Sequence, residues 1–254
     1  MKKELNISNL TIGHQQKPLL KNINLKAKTN QIIAVFGRNG QGKSTLLKTI
    51  SGLLPAISGN FTFENRDVLN LKEKERAKLL SIVSTSQNNV EGITVKDFIA
   101  FGRFPYTNWL GINSAKDYLK IEHAIELCQI AKLTHRNYNE LSDGEKQKVN
   151  IARAIAQETP LILLDEPTVH LDLINKVEVF KLLKKLSTKH HKTIIISTHQ
   201  IEYALQICDE IWLVNDNDID AFSPNELINS NKLNQLFDDD IVSFDKHTQS
   251  FKIR

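Results

Sequence analysis

The stretch Gly37-Arg38-Asn39-Gly40-Gln41-Gly42-Lys43-Ser44-Thr45 decides the fold, because its glycines, lysine and hydroxyl have the spacing of a phosphate loop. Gly37, Gly40 and Gly42 allow the backbone to turn its amides toward a phosphate chain. Lys43 brings a positive charge to the β and γ phosphates, and Ser44 offers a hydroxyl ligand to Mg²⁺. The stretch therefore predicts a site for a nucleotide and its magnesium ion.

The residues on both sides of this loop support that prediction. Ile32 to Phe36 are continuously apolar, as in a central strand covered on both faces, and a helix is expected from Lys43 to a C-cap at Gly52. The start of this helix adds its positive dipole end to the phosphate site. The simpler alternative, a glycine-rich turn before an ordinary amphipathic helix, predicts no such context.

A second apolar run, Leu161 to Leu164, ends in two adjacent carboxylates, Asp165 and Glu166, followed by Pro167. Side chains alternate between the faces of a strand, so both acids can serve one site only where the strand ends, and Pro167 favours an end there. Asp165 would hold Mg²⁺ through its water shell, and Glu166 would polarise the attacking water as general base. The alternative, a solvated strand end, is disfavoured beside a phosphate loop.

A third apolar run, Ile194 to Ile196, ends in polar residues and His199. Ligands of open α/β sheets bind beyond the carboxyl ends of the strands, so the phosphate loop, the two acids and His199 are expected to converge there. His199 would then sense or stabilise the γ phosphate. A histidine taken alone is more often a hydrogen-bonded structural residue.

The remaining patterns predict an α/β fold. Alternation at Leu5 and Ile7, and again from Ile23 to Ala27, indicates an opening antiparallel pair of strands, whereas short buried runs separated by helical patterns indicate a mainly parallel sheet. Helical spacing without a good strand fills the segment between Val83 and Leu161, which predicts a helical subdomain inserted into the core. The last forty or so residues are expected to form a small terminal appendage.

The segment Leu141 to Gln147 precedes a good amphipathic helix and has two interpretations. Ser142 and Glu145 fit a capping box, which is a purely structural role. A helix start with Ser142 and Gly144 is also an anion site, because its first amides are unpaired and the glycine permits close approach. The residues alone leave both interpretations open.

Together these motifs resemble the ATP-binding cassette (ABC) ATPases over nearly the whole chain. The phosphate loop matches the family's Walker A motif, and Leu163 to Pro167 matches Walker B with Glu166 as the catalytic glutamate. Leu141 to Glu145 is similar to the family's signature motif. That motif identifies the family, which a phosphate loop alone does not. The resemblance implies a P-loop NTPase (RecA-like) core with an antiparallel β subdomain in residues 1–86 and 158–254, and a helical signature subdomain in 87–157.

Further residue roles come from the resemblance alone. Gln87 falls at the family's Q-loop glutamine, which links Mg²⁺ and the attacking water to the transmembrane partner. Val169 to Asp172 resembles the D-loop, and His199 resembles the switch histidine. His14 falls where the family often stacks an aromatic ring on adenine.

The resemblance also implies a head-to-tail dimer, in which Ser142 and Gly144 of one copy contact ATP bound by the other. Asp143 and Glu145 depart from the usual signature, which has a glycine and a glutamine there. Their negative charges would lie near a triphosphate unless the side chains point away or cap the helix.

The segment Gly102 to Tyr106 resembles the importer ATPases that serve permeases for iron siderophores, haem and cobalamin. This resemblance implies an ATPase subunit peripheral to the cytoplasmic face of the inner membrane, a permease partner and an associated substrate-binding protein. The alternatives are an importer for another substrate, a soluble cassette protein acting on DNA or ribosomes, and a nucleotide-binding regulator without turnover. Intact Glu166 argues against the last.

Composition agrees with this interpretation. With 33 basic and 29 acidic side chains the net charge is only +4, so no nucleic-acid partner is indicated. No apolar run approaches the roughly 18 residues of a membrane-spanning helix, and no secretory signal follows Met1, so we expect a cytosolic chain. Cys128 and Cys208 are expected to be small buried hydrophobes without a disulfide or metal.

Overall fold

The computed structural model describes residues 4–15, 17–84, 90–109, 111–216, 218–236 and 242–253. The strands follow in chain order: β1 (Glu4–His14), β2 (Lys17–Lys28), β3 (Ile32–Phe36), β4 (Ser58–Phe63), β5 (Arg66–Asp67), β6 (Leu80–Val83), β7 (Leu161–Asp165), β8 (Thr193–Thr198), β9 (Glu210–Asn215), β10 (Asp218–Phe222), β11 (Val242–Asp245) and β12 (Ser250–Ile253). The α-helices are α1 (Lys43–Ile50), α2 (Glu73–Leu79), α3 (Val95–Ala100), α4 (Ala115–Leu127), α5 (Asp143–Ala156), α6 (Leu173–His190), α7 (Ile201–Ile207), α8 (Pro224–Asn229) and α9 (Lys232–Leu236).

The chain divides into two compact units, Met1–Asn70 with Thr193–Arg254, and Leu71–Lys192. These limits differ from the predicted subdomain limits at residues 87 and 157, because β6 and β7 group with the helices of the second unit. The predicted limits remain a prediction.

The first unit contains the predicted antiparallel sheet, in the order β2-β1-β4-β5. Leu5 pairs with Ala27 and Ile7 with Leu25, so the alternating apolar side chains share one buried face, as the pattern predicted.

The same unit contains the parallel strands that carry the phosphate loop. β3 pairs in parallel with β8 on one side and with β9 on the other, and β10 pairs antiparallel with β9. All five residues of β3 are buried, as the continuous apolar run predicted. The helix α1 follows the loop and ends in a Schellman motif, in which Gly52 has φ +76° and the Leu53 amide donates to the Lys48 carbonyl.

The second unit contains β6 and β7, which pair in parallel, and most of the helices. Between Val83 and Leu161 the described residues form α3, α4, α5 and short 3₁₀ helices, with one isolated bridge from Thr94 to Asn137. The predicted helical insertion is therefore confirmed within the described part of the chain.

Both cysteines, Cys128 and Cys208, are buried, as the sequence predicted. β11 and β12 form a separate two-stranded sheet near the end of the chain. None of the described helices combines the length and the hydropathy that crossing a bilayer requires.

Candidate functional site

The phosphate loop has a backbone that only glycine adopts readily. Gly40 and Gly42 have φ values of +80° and +102°, in the left-handed region. Gly37 is required for a different reason, because a Cβ there would lie 2.7 Å from the carbonyl oxygen of Val214. The loop is thus held against β9 while its later residues turn into α1.

Lys43 is buried at the centre of this loop. Its Nζ donates to the carbonyl oxygens of Gly37 and Arg38, at 2.9 Å each, and the Gln41 side chain accepts from the Arg38 amide at 2.7 Å. No side chain caps the start of α1, and its first turn contains no acidic residue. A helix start with these properties favours an anion.

The structure brings two further predicted residues to the same unit. His14 ends β1 with its side chain exposed, and its Nε2 lies 3.3 Å from Oγ1 of Thr45 in α1. His199 directly follows β8, whose last residue Thr198 pairs with Phe36, the residue before the loop. The loop and His199 therefore leave neighbouring parallel strands at their carboxyl ends, where ligands of such sheets bind.

The paired carboxylates lie in the second unit. Asp165 is the last residue of β7 and is only 2% exposed, whereas Glu166 is half-buried and has φ +47°. The left-handed turn at Glu166 ends the strand where the sequence required an end. Hydroxyl and carboxylate oxygens are donors that Mg²⁺ prefers, so Ser44 in the first unit and Asp165 in the second each offer a donor of the kind that this ion takes.

Glu166 opens into a pocket of about 90 Å³ that the helix after the signature segment also lines. The lining residues are Ser84, Tyr138, Asp143, Lys146, Gln147, Asn150, Glu166, Val169, His170 and Leu171. Inside it, Nδ2 of Asn150 donates to the Tyr138 hydroxyl at 3.1 Å. Glu166, the start of α5 and residues 169–171 therefore share one polar pocket within this unit.

Sequence reasoning missed the polar lining that α5 supplies to this pocket. Lys146, Gln147 and Asn150 lie on its first two turns, and Nε2 of Gln147 is buried without a hydrogen-bond partner among the described residues. The polar face of α5 was the available signal in the sequence. That signal points to this pocket only when it is known that α5 packs against residues 169–171.

Ser142 and Glu145 form the predicted capping box. The Ser142 amide and hydroxyl both donate to Oε2 of Glu145 at 2.9 Å, and the Glu145 amide donates to Oγ of Ser142 at 3.4 Å. Arg136 lies 3.2 Å from the other carboxylate oxygen. The hydrogen bond from the Ser142 amide, with help from Arg136, lowers the pKa of Glu145, so this carboxylate is an internal anion at the helix start.

Gly144 has a structural reason for being glycine. A Cβ there would lie 2.9 Å from the side chain of Asn175, which Asp172 fixes by accepting its amide at 2.8 Å and its Nδ2 at 3.0 Å. Asp172 therefore caps α6 and positions the side chain that packs on Gly144. Gln87 lies outside the described residues.

The importer-like segment Gly102 to Tyr106 packs inside the second unit. A Cβ on Gly102 would lie 2.3 Å from the Arg153 carbonyl oxygen in α5. Arg103 is buried, pairs with Asp117 at 2.9 Å, donates to the Ala156 carbonyl at 2.7 Å and lies 4.0 Å from the Tyr106 ring centroid. The segment thus fastens α4 to the end of α5, which gives it a structural role.

Fold and loop geometry define a phosphate-loop nucleotide-binding protein. Residues 20–169 match the family model described as "ABC transporter", and the chain belongs to this family. It is 31% identical to the petrobactin import ATP-binding protein FpuD of Bacillus anthracis over 238 residues, 93% of this chain and 87% of that protein.

Solved structures agree with the family assignment. A transporter of the metal-chelate type in an inward-facing conformation is 28% identical, with a TM-score of 0.82 and coverage of 98% of this chain and 95% of that one. A dimeric ATP-binding cassette in a post-hydrolysis state, bound to ADP and Pi, is 27% identical, with a TM-score of 0.75 and coverage of 87% and 98%. The predicted family, fold class and ATPase activity are therefore confirmed.

Proposed function

We propose that two copies of this chain drive the uptake of an iron chelate through a membrane permease, at the cytoplasmic face of the inner membrane. The observation that carries the proposal is the pocket in which Glu166 meets the start of α5, because it joins the general base to the element predicted to contact a second copy. Similarity to a dimeric cassette supports the second copy.

In this proposal the phosphate loop holds ATP. The Lys43 ammonium and the open start of α1 bind the phosphates, and His14 beside Thr45 stacks on the adenine. Ser44, Asp165 and Gln87 hold Mg²⁺, which neutralises phosphate charge when bound. Residues 87–157 act as the helical signature subdomain.

Hydrolysis then depends on proton transfer to Glu166. Its carboxylate orients water for attack on the γ phosphate and accepts a proton from it, and His199 stabilises the phosphate. Ser142 and Gly144 of the second copy complete the site. Because Glu145 already accepts the Ser142 hydroxyl, that hydroxyl must turn away from Glu145 to donate to a phosphate.

Replacing the general base tests this mechanism. Glu166→Gln should retain ATP binding but lose roughly 10² to 10⁴ in turnover, as for a positioned base. Glu126→Gln, which removes an exposed carboxylate of α4, is the matched control and should hydrolyse ATP normally. Near-normal hydrolysis by Glu166→Gln would refute the assignment.

An exposed apolar surface of the second unit supports contact with a permease. Phe104, Trp109 and Ile112 are 56%, 91% and 61% exposed within one short segment, and such patches mark interaction sites. Phe104→Ala with Trp109→Ala should reduce co-purification with the permease and leave ATP binding unchanged. Ile253→Ala, at an equally exposed apolar residue, should leave co-purification unchanged. Co-purification with nucleic acid instead would favour a soluble cassette protein.

Two similarities support an iron chelate as the substrate. The chain is similar to the petrobactin importer subunit and to the metal-chelate type transporter. Haem and cobalamin are the alternatives, and a substrate-binding protein would deliver the cargo to the permease. Uptake into vesicles holding the cognate permease and this chain, measured with ferric siderophore, haem and cobalamin, separates them. Uptake of only haem or cobalamin would refute the chelate.

A further inference from the structure

A groove in the second unit, away from the pocket of Glu166, has the volume of a small ligand site. It has a volume of about 350 Å³, at the lower end of small-molecule sites. Its lining comprises Leu127, Cys128, Gln129, Lys148, Glu178, Val179, Lys181, Leu182 and Lys185. These residues come from the end of α4, from α5 and from α6.

The floor of this α4–α6 groove is apolar. Leu127 and Val179 are buried, and Leu182 is half-buried. Burial raises the pKa of the Cys128 thiol to about 12, so this side chain is neutral at physiological pH and adds to the apolar floor.

The rim of the groove has an excess of positive charge. Lys148 pairs with Glu178, the acid of the lining, whereas Lys181 and Lys185 have no ion pair or hydrogen bond from their side chains within the described part of the chain. Both lysines are exposed on α6, four residues apart, so they lie on one face.

A simpler role for these lysines is to cap the end of α4, but neither ammonium group donates to a carbonyl of α4 within the described part of the chain. The last carbonyls of α4 already accept amides of its own chain: Ala124 from Cys128, Glu126 from Gln129 and Ile125 from Ile130, at 3.0 to 3.2 Å. Lys181 and Lys185 therefore line the groove without a protein acceptor among the described residues.

We propose that the α4–α6 groove binds a small amphipathic organic anion, with its apolar body on Leu127, Val179 and Leu182 and its acidic group between Lys181 and Lys185. A neutral ligand would leave both ammonium groups without a partner, and a cation would be repelled. An inorganic anion would leave the apolar floor uncovered.

The test uses the fluorescent anion 8-anilinonaphthalene-1-sulfonate with the full chain in saturating Mg-ADP, which keeps the probe out of the nucleotide site. The wild-type chain should bind it at one saturable site. Lys181→Gln with Lys185→Gln should weaken binding about tenfold, because two charge-assisted contacts are lost. Lys176→Gln with Lys189→Gln removes the same charge from the same helix outside the groove and should bind as the wild type does.

Two further measurements test the parts of the ligand separately. N-phenyl-1-naphthylamine, the same ring system without the sulfonate, should bind about tenfold more weakly than the anion. Leu182→Trp, which fills a half-buried position of the groove, should abolish saturable binding of both probes.

Absence of a saturable site for the sulfonate, or equal affinity of the two lysine variants, would each overturn the proposal. None of these measurements depends on ATP hydrolysis, whereas the Glu166→Gln test does. The groove proposal and the proposed function can therefore fail independently.

Discussion

The starts of α1 and α5 are two helix N-termini with opposite designs. The start of α1 follows the left-handed residue Gly42, has no capping side chain and contains no acid in its first turn. The start of α5 has a complete capping box, with Asp143 and Glu145 in the first turn. One helix start is therefore open to an external anion, and the other already contains an anion from its own chain.

We infer from this difference that the two ends would recognise phosphate by different means. In the proposed function the loop amides and Lys43 at α1 bind phosphate directly within one copy. At α5 a phosphate must compete with Glu145 for the Ser142 hydroxyl. We expect the second contact to be weak by itself and to form only when ATP is already bound by the other copy.

The largest expected effect is at the capped end. Ser142→Arg should lower the rate of ATP hydrolysis roughly 10²-fold or more, because the arginine blocks the contact that completes the site. ATP binding to a single copy should be unchanged, because α1 alone provides it. Turnover and fluorescent-nucleotide binding check the two parts, and full activity would contradict the contribution of α5.

The next effect is at the open end. Lys43→Met should weaken ATP binding roughly 50-fold, because a charge-assisted hydrogen bond contributes about 1.5 to 3 kcal/mol. Lys146→Met, which removes a lysine from the first turn of α5, should change ATP affinity of a single copy by less than about threefold. Calorimetric titration of each variant with ATP measures the two affinities. Equal losses of ATP affinity would contradict the difference between the two helix starts.

A smaller effect distinguishes the glycines at the two ends. Gly37→Ala should lower the free energy of unfolding by about 1 to 3 kcal/mol, since its Cβ would meet the Val214 backbone. Gly144→Ala meets the end of a side chain, and alanine favours a helix by about 1 kcal/mol, so the net change should be near zero. Urea unfolding of both variants measures the two changes in the free energy of unfolding. A larger loss in Gly144→Ala than in Gly37→Ala would contradict these contacts.

The sequence predicted much of this, and the misses have a common cause. The run at β3, the end of β7 before Pro167 and the capping box of Ser142 are local patterns, so they could be predicted. The buried Arg103 network and the contact of Gly144 with Asn175 depend on which helices pack together. No local spacing contains that information.

The smallest effect concerns Glu145. Glu145→Gln keeps a capping acceptor but removes the charge, so it should tighten the ATP-bound dimer about two- to fivefold by reducing repulsion of the triphosphate. Sedimentation at several ATP concentrations measures this. Weaker dimerisation would show that the carboxylate assists phosphate binding.

The Glu145→Gln variant should also change how the stability of the fold depends on pH. The pKa of Glu145 is lower in the folded chain than its ordinary value of 4.5, so its charge stabilises the fold above that pH. This contribution is lost as the pH falls through the folded pKa. The difference in urea midpoint between wild type and Glu145→Gln should therefore shrink below about pH 4.5, and a difference that grows there would contradict the cap geometry.

The most direct test of the account is whether ATP joins two copies through α5. In saturating Mg-ATP, Glu166→Gln should sediment as a dimer because ATP is bound but not hydrolysed, and the same variant carrying Ser142→Arg should sediment as a monomer with ATP still bound. A dimer that persists in the double variant, or a monomer in Glu166→Gln alone, would contradict the shared site.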